Sequence, residues 1–138
     1  VGFFEDEYKE KVDELVKKGI VDFHGFQEEP RPYYAKADCV VMPSYHEGMS
    51  NVNLEASATG RPVITTDIPG CRESVENEKT GWLCEPKNSD SLYEKMKAFL
   101  HTENSVREQM GKTARKKMEN EFDKKIVVEQ TITALGLK

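Results

Sequence analysis

With 138 residues, 37% of them hydrophobic and 33% charged, the chain has apolar material for one core and not for two. Its net charge of −5 excludes a nucleic-acid surface spread over the whole domain, and no apolar run approaches the ~18 residues of a membrane span. Cys39, Cys71 and Cys84 are odd in number and form no C-x-x-C pair, so they read as small hydrophobes in a reducing cytosol.

In chain order, residues 1–4 suggest a strand, and the start Val1-Gly2, without Met or a secretory signal, reads as a cut inside a longer protein. Val12, Leu15 and Val16 recur at helical spacing over 8–18, with Gly19 placed to end the helix. Ile20 to Phe23 form a β-branched run that predicts a strand near 21–24, closed by Gly25. Pro30 and Pro32 suit the start of a short helix carrying Tyr33, Tyr34 and Ala37. The unbroken run 39–42, ended by Pro43, resembles a strand buried on both faces. A helix through Leu54 and Thr59 ends at Gly60, and strands follow at 62–65 and 81–83 with turn chemistry at 67–70 between them. Alternation of this kind predicts βαβ units: a Rossmann-like α/β domain with a parallel sheet flanked by helices.

After residue 88 only helical patterns remain. Leu92, Met96, Phe99 and Leu100 make one stripe, Val106 to Phe122 a second, and Asp123 starts a third helix. No linker or repeat interrupts 1–138, which is read as a single domain. Lys112, Arg115, Lys116 and Lys117 give the long helix a basic face, read as solvated surface, with a peripheral membrane contact as the second reading. Gly111-Lys112-Thr113 ends like a phosphate-binding P-loop, but Val106 stands where the required Gly would be. The three histidines show no metal-ligand spacing, and no Asp-x-Asp is present.

The stretch 43–56, Pro-Ser-Tyr-His-Glu-Gly-Met-Ser-Asn-Val-Asn-Leu-Glu-Ala, is where chemistry is expected. It leaves a strand and starts a helix, and ligands of open α/β sheets bind at the carboxyl ends of strands. Gly48 lets backbone approach a ligand, Ser50 is a candidate N-cap, and the amides of Ser50, Asn51 and Val52 would point out of the helix N-terminus toward phosphate or sugar oxygens. Glu47 and Glu55 would bring two carboxylates to one ligand. Spacing alone is weak evidence, since Glu121 and Glu129 share it; the flanking motifs make it specific.

Those flanks are Pro43-Ser44-x-x-Glu47-Gly48, Leu54-Glu55-Ala56, Gly60-Arg61-Pro62-Val63-Ile64 and Asp67-x-Pro69-Gly70-Cys71-Arg72-Glu73. Together they resemble the donor-binding half of a family 4 retaining glycosyltransferase of the GT-B fold, with Glu47 to Glu55 matching that family's E-x7-E motif. Phe23-His24-Gly25 and Gly81-Trp82-Leu83 resemble its other strand ends. The resemblance implies that Glu55 holds the ribose hydroxyls of a UDP-sugar and that Glu47 faces the sugar near the reacting carbon. It implies that Gly48, Met49, Ser50 and Asn51 present amides to sugar and diphosphate, and that the Gly25-Phe26 turn touches the base. Family members often carry Phe-Gly where Met49-Ser50 stand here.

The same resemblance implies a C-terminal half truncated at its front, lacking both the acceptor-binding domain and the Arg and Lys that stabilise the leaving diphosphate. The fragment alone is therefore expected to be inactive. The expected parent is cytoplasmic, with a peripheral position at the inner face of the membrane as the second reading. It transfers a sugar without metal or cofactor to a sugar or lipid-linked acceptor in surface polysaccharide synthesis. A GT-B nucleotide-sugar epimerase and a noncatalytic binding module are the rival readings.

Overall fold

The computed structural model describes residues 1–3 and 8–137, which divide into two compact units, Val1–Pro32 and Tyr33–Lys138. In the first, α1 (Lys9–Lys17) forms where the periodicity placed it. Gly19, at φ 68°, closes it: its N–H donates to the Val16 carbonyl at 2.9 Å and that of Ile20 to Leu15 at 3.0 Å. This paired closure needs the left-handed backbone that glycine adopts freely.

The strand predicted near 21–24 does not form; residues 21–27 have no regular structure. Ile20 is 68% exposed, and β-branched composition yields a strand only where a ladder partner and a packed face exist. The Gly2 N–H reaches the Gly25 carbonyl at 2.9 Å, an isolated bond that does not extend into a ladder. Residues 1–3 carry no strand either, and Phe4, the last residue of that expected element, lies outside the described residues.

Beyond the short α2 (Arg31–Lys36), the second unit holds a three-stranded parallel sheet in the order β1 (Val40–Met42), β2 (Val63–Thr66), β3 (Gly81–Cys84). Val40 pairs with Val63, and Val63 with Gly81. Parallel neighbours need a crossover, which α3 (Asn51–Ala58) supplies between β1 and β2. A single 3₁₀ turn (Arg72–Ser74) interrupts the loop from β2 to β3. Three helices follow: α4 (Ser89–His101), α5 (Asn104–Glu121) and α6 (Lys124–Ala134).

Alternation along the strands sorts the core into two layers. Val63, with Val40 and Leu83, packs on one face against Ala56 of α3 and Val75. On the other face Ile64 and Trp82 meet Phe99 of α4 and Met110 of α5, the Trp82 and Phe99 rings lying 6.0 Å apart edge to face.

Burial corrects the reading of the strand at 39–42. All four residues of β2 are buried, whereas β1 has Val41 38% exposed. Among the described residues β1 stands at the edge of the sheet, and an apolar run cannot by itself announce which strand is central.

Gly111 takes on a role unrelated to phosphate. A Cβ there would fall 2.1 Å from the Gly60 carbonyl oxygen, so the mid-helix glycine lets α5 lie directly on the end of α3. Arg115 reinforces the contact by donating to the Ala58 carbonyl at 3.1 Å, and Lys117 pairs with Glu76 and Glu121. Two cations of the expected basic face are thus engaged within the molecule.

Candidate functional site

Ser50 caps α3. Its backbone is extended, and its hydroxyl accepts from the Asn53 N–H at 3.4 Å, an arrangement worth about 0.5–2 kcal/mol to the helix. The helix starts at Asn51, three residues before the apolar pattern begins, because the cap and not the hydrophobic period decides where a helix starts. Asn53, fully buried, donates through Nδ2 to Thr65 Oγ1 at 3.1 Å, and Thr65 donates to the Met42 carbonyl at 2.8 Å. This relay ties α3 and β2 to the end of β1, fixing both ends of the loop that carries the candidate residues.

That loop rests on Gly70. At φ +85°, a Cβ on Gly70 would lie 2.4 Å from the Glu47 carbonyl oxygen and 2.8 Å from that of Gly48. Glu73 secures the turn, its Oε2 accepting from the Gly70 N–H at 2.8 Å. Arg72 binds Asp67 through both its carboxylate and its carbonyl, each at 2.9 Å. The Ser50 N–H donates to the Gly70 carbonyl at 2.8 Å. The Ser50 amide is therefore committed to the protein, contrary to the expectation that it would face a ligand. Asn51 and Val52 hold the first two helical positions, where the helix offers no acceptor to their amides. The partial positive charge of the helix N-terminus falls there.

Glu47, half-buried, lines a cavity of about 480 Å³ together with Tyr45, His46, Gly48, Ile68 and Pro69. Gly48 has open space where a Cβ would stand. The exposed Met49 and the helical residues lie outside this lining, so the cavity gathers Glu47 and Gly48 but not Glu55. Glu55 projects from the second turn of α3 and is exposed. Its Oε2 accepts from the Tyr34 hydroxyl at 3.1 Å. Burial, then the bond to Glu55 and that carboxylate's charge, pushes the Tyr34 hydroxyl up to about 12. Phe26, expected at the base, is 68% exposed. Among the described residues no group of three or more His, Cys, Asp or Glu could hold a metal ion.

The sequence motifs contain Asn53 and Gly70 without giving either a role, and they do not connect Tyr34 with this region. Pro69-Gly70 reads as a turn, but nothing in the local sequence says that this turn carries the Glu47–Gly48 loop. Nothing in spacing links Tyr34 to Glu55 across 21 positions.

A family model described as glycosyl transferases group 1 matches residues 2–117. The chain is 35% identical over 102 residues to the capsular polysaccharide biosynthesis glycosyltransferase CapM of Staphylococcus aureus, covering 74% of this chain and 27% of that relative. Sucrose-phosphate synthase from Thermosynechococcus elongatus matches with a TM-score of 0.78 at 27% identity, over 93% of this chain and 34% of its own. Anabaena HepE, solved with UDP, shares the fold at a TM-score of 0.82 and 22% identity, over 99% of this chain and 40% of its own. The chain spans about a quarter of the length of the first curated relatives it matches.

Proposed function

The chain belongs to the group 1 glycosyl transferases, and from that membership we propose that it is the C-terminal, nucleotide-sugar-binding domain of a longer family 4 retaining enzyme. The observation that carries the reading is the Glu47–Gly48 loop, seated on Gly70 at the carboxyl end of β1 and leading into the capped N-terminus of α3. A parallel α/β sheet presents ligands at that edge. Anabaena HepE, of the same fold, was solved with UDP, which supports a UDP-sugar as donor. CapM's part in capsule synthesis supports a surface polysaccharide as product.

In this reading Glu55 accepts from the ribose hydroxyls through charge-assisted bonds. The Asn51 and Val52 amides receive the diphosphate, and Gly48 and Met49 offer backbone to the sugar. Glu47 faces the sugar near its anomeric carbon. The bond from anomeric carbon to diphosphate oxygen breaks as the acceptor oxygen bonds to the same face of that carbon. The acceptor proton passes to the leaving diphosphate, with no metal taking part. Cations for that leaving group and the acceptor site come from parts of the protein outside this chain, which works in the cytoplasm on a sugar or lipid-linked acceptor.

The test is a panel of nucleotide sugars incubated with the full-length protein and candidate acceptors, with products read by mass spectrometry. Transfer with retained anomeric configuration, undiminished by a chelator, is expected. Release of epimerised free sugar without an acceptor, or binding without turnover of any donor, overturns the reading.

A further inference from the structure

Tyr34 joins two parts of the second unit that the chain separates widely. Its ring packs against the cluster of Ala56, Val63 and Val75, which fixes it to the core, while its hydroxyl meets Glu55 at the surface. An exposed Glu on a helix samples several rotamers, and selecting one costs entropy when a ligand must do it. A phenol anchored by its ring can make that selection in advance. One bond to Oε2 leaves the other carboxylate oxygen and the remaining lone pairs free to accept.

We propose that Tyr34 is a positioning residue for nucleotide binding, its hydroxyl holding Glu55 in the orientation that receives the ribose hydroxyls. The inference rests on the ribose role given to Glu55 above. Tyr34 is suited to the task because its hydroxyl keeps its proton far above neutral pH and so remains a donor throughout the working range. Phenylalanine at this position keeps the ring and its packing and removes only the bond to Glu55.

The experiment is a double-mutant cycle in the full-length protein, with UDP and 2′,3′-dideoxyuridine diphosphate as calorimetric probes. Tyr34→Phe is expected to weaken UDP binding about three- to tenfold, and Glu55→Gln about ten- to hundredfold. For the cycle itself Glu55→Ala removes the acceptor as well, and the double variant Tyr34→Phe with Glu55→Ala should bind UDP no more weakly than Glu55→Ala alone. With the dideoxy probe, which has no ribose hydroxyls, Tyr34→Phe should cost nothing. A loss from Tyr34→Phe that persists in the Glu55→Ala background or with the dideoxy probe overturns the inference, because Tyr34 would then act independently of Glu55. The same holds if Glu55→Gln weakens UDP binding while Tyr34→Phe does not. Unchanged UDP binding by Glu55→Gln overturns the ribose reading itself and the inference with it.

Discussion

Glu47 and Glu55 sit in different surroundings, and the difference sets what each can do. Glu47 is half-buried in a cavity wall, whereas Glu55 is exposed on a helix and bonded to a tyrosine. In the role proposed for it, facing the reacting sugar, Glu47 should affect turnover more than nucleotide affinity. Glu47→Ala is therefore expected to lower kcat on the order of 100-fold in the full-length protein while UDP affinity shifts less than about threefold, as steady-state kinetics beside calorimetry will show. Tyr34 provides a pH signature. Its hydroxyl is raised from 10.0 to about 12 in the folded state, so the neutral form is favoured by folding. That contribution is fully present below pH 10 and is lost as pH rises toward 12. Denaturation from pH 9 to 12 should show wild type losing stability more steeply than Tyr34→Phe in that window; parallel curves would contradict the assignment.

At the scale of elements, two glycines hold backbone against backbone. Gly70 supports the Glu47–Gly48 loop, and Gly111 lets α5 lie on the end of α3. Gly70→Ala combines left-handed strain, about 1–3 kcal/mol, with a collision against two carbonyl oxygens. It should lower both the melting temperature and kcat/KM, since the loop must move. Gly111→Ala has a different balance. Alanine improves helix propensity by about 1 kcal/mol, but the added Cβ falls on the Gly60 carbonyl with no flexible side chain to yield, and overpacking of this kind costs about 1–3 kcal/mol. Net destabilisation by chemical denaturation is expected, with little change in donor KM because the contact lies away from the Glu47 loop. A more stable Gly111→Ala variant would show that the two helices can part at no cost.

For the whole molecule, stability should be unevenly distributed between the two units. β2 is buried along its length between two strands and two helical layers, whereas α1 has nine residues and none of them buried. A helix that short draws little stability from its own hydrogen bonds. Amides of Val63 to Thr66 should exchange at rates near the global unfolding limit, and those of α1 orders of magnitude faster, measured by native-state hydrogen exchange. Comparable protection in the two would mean that α1 is buried against some surface in solution.

The sequence by itself determined the parallel α/β class, the helical tail after residue 88, a loop joining β1 directly to α3, and Ser50 as the cap of that helix. These are local properties: hydrophobic period, cap chemistry and the order of strand and helix patterns are written in neighbouring residues. Tertiary structure alone decided the rest. The β-branched run at 20–23 stayed irregular for want of a ladder, and the edge place of β1 followed from the order of pairing. The Ser50 amide went to Gly70, the Gly111 backbone met Gly60, and Tyr34 reached Glu55. Each of these outcomes depends on groups distant in the chain, or on a partner that must be present before a propensity becomes structure. No period or spacing encodes which carbonyl a given amide will find.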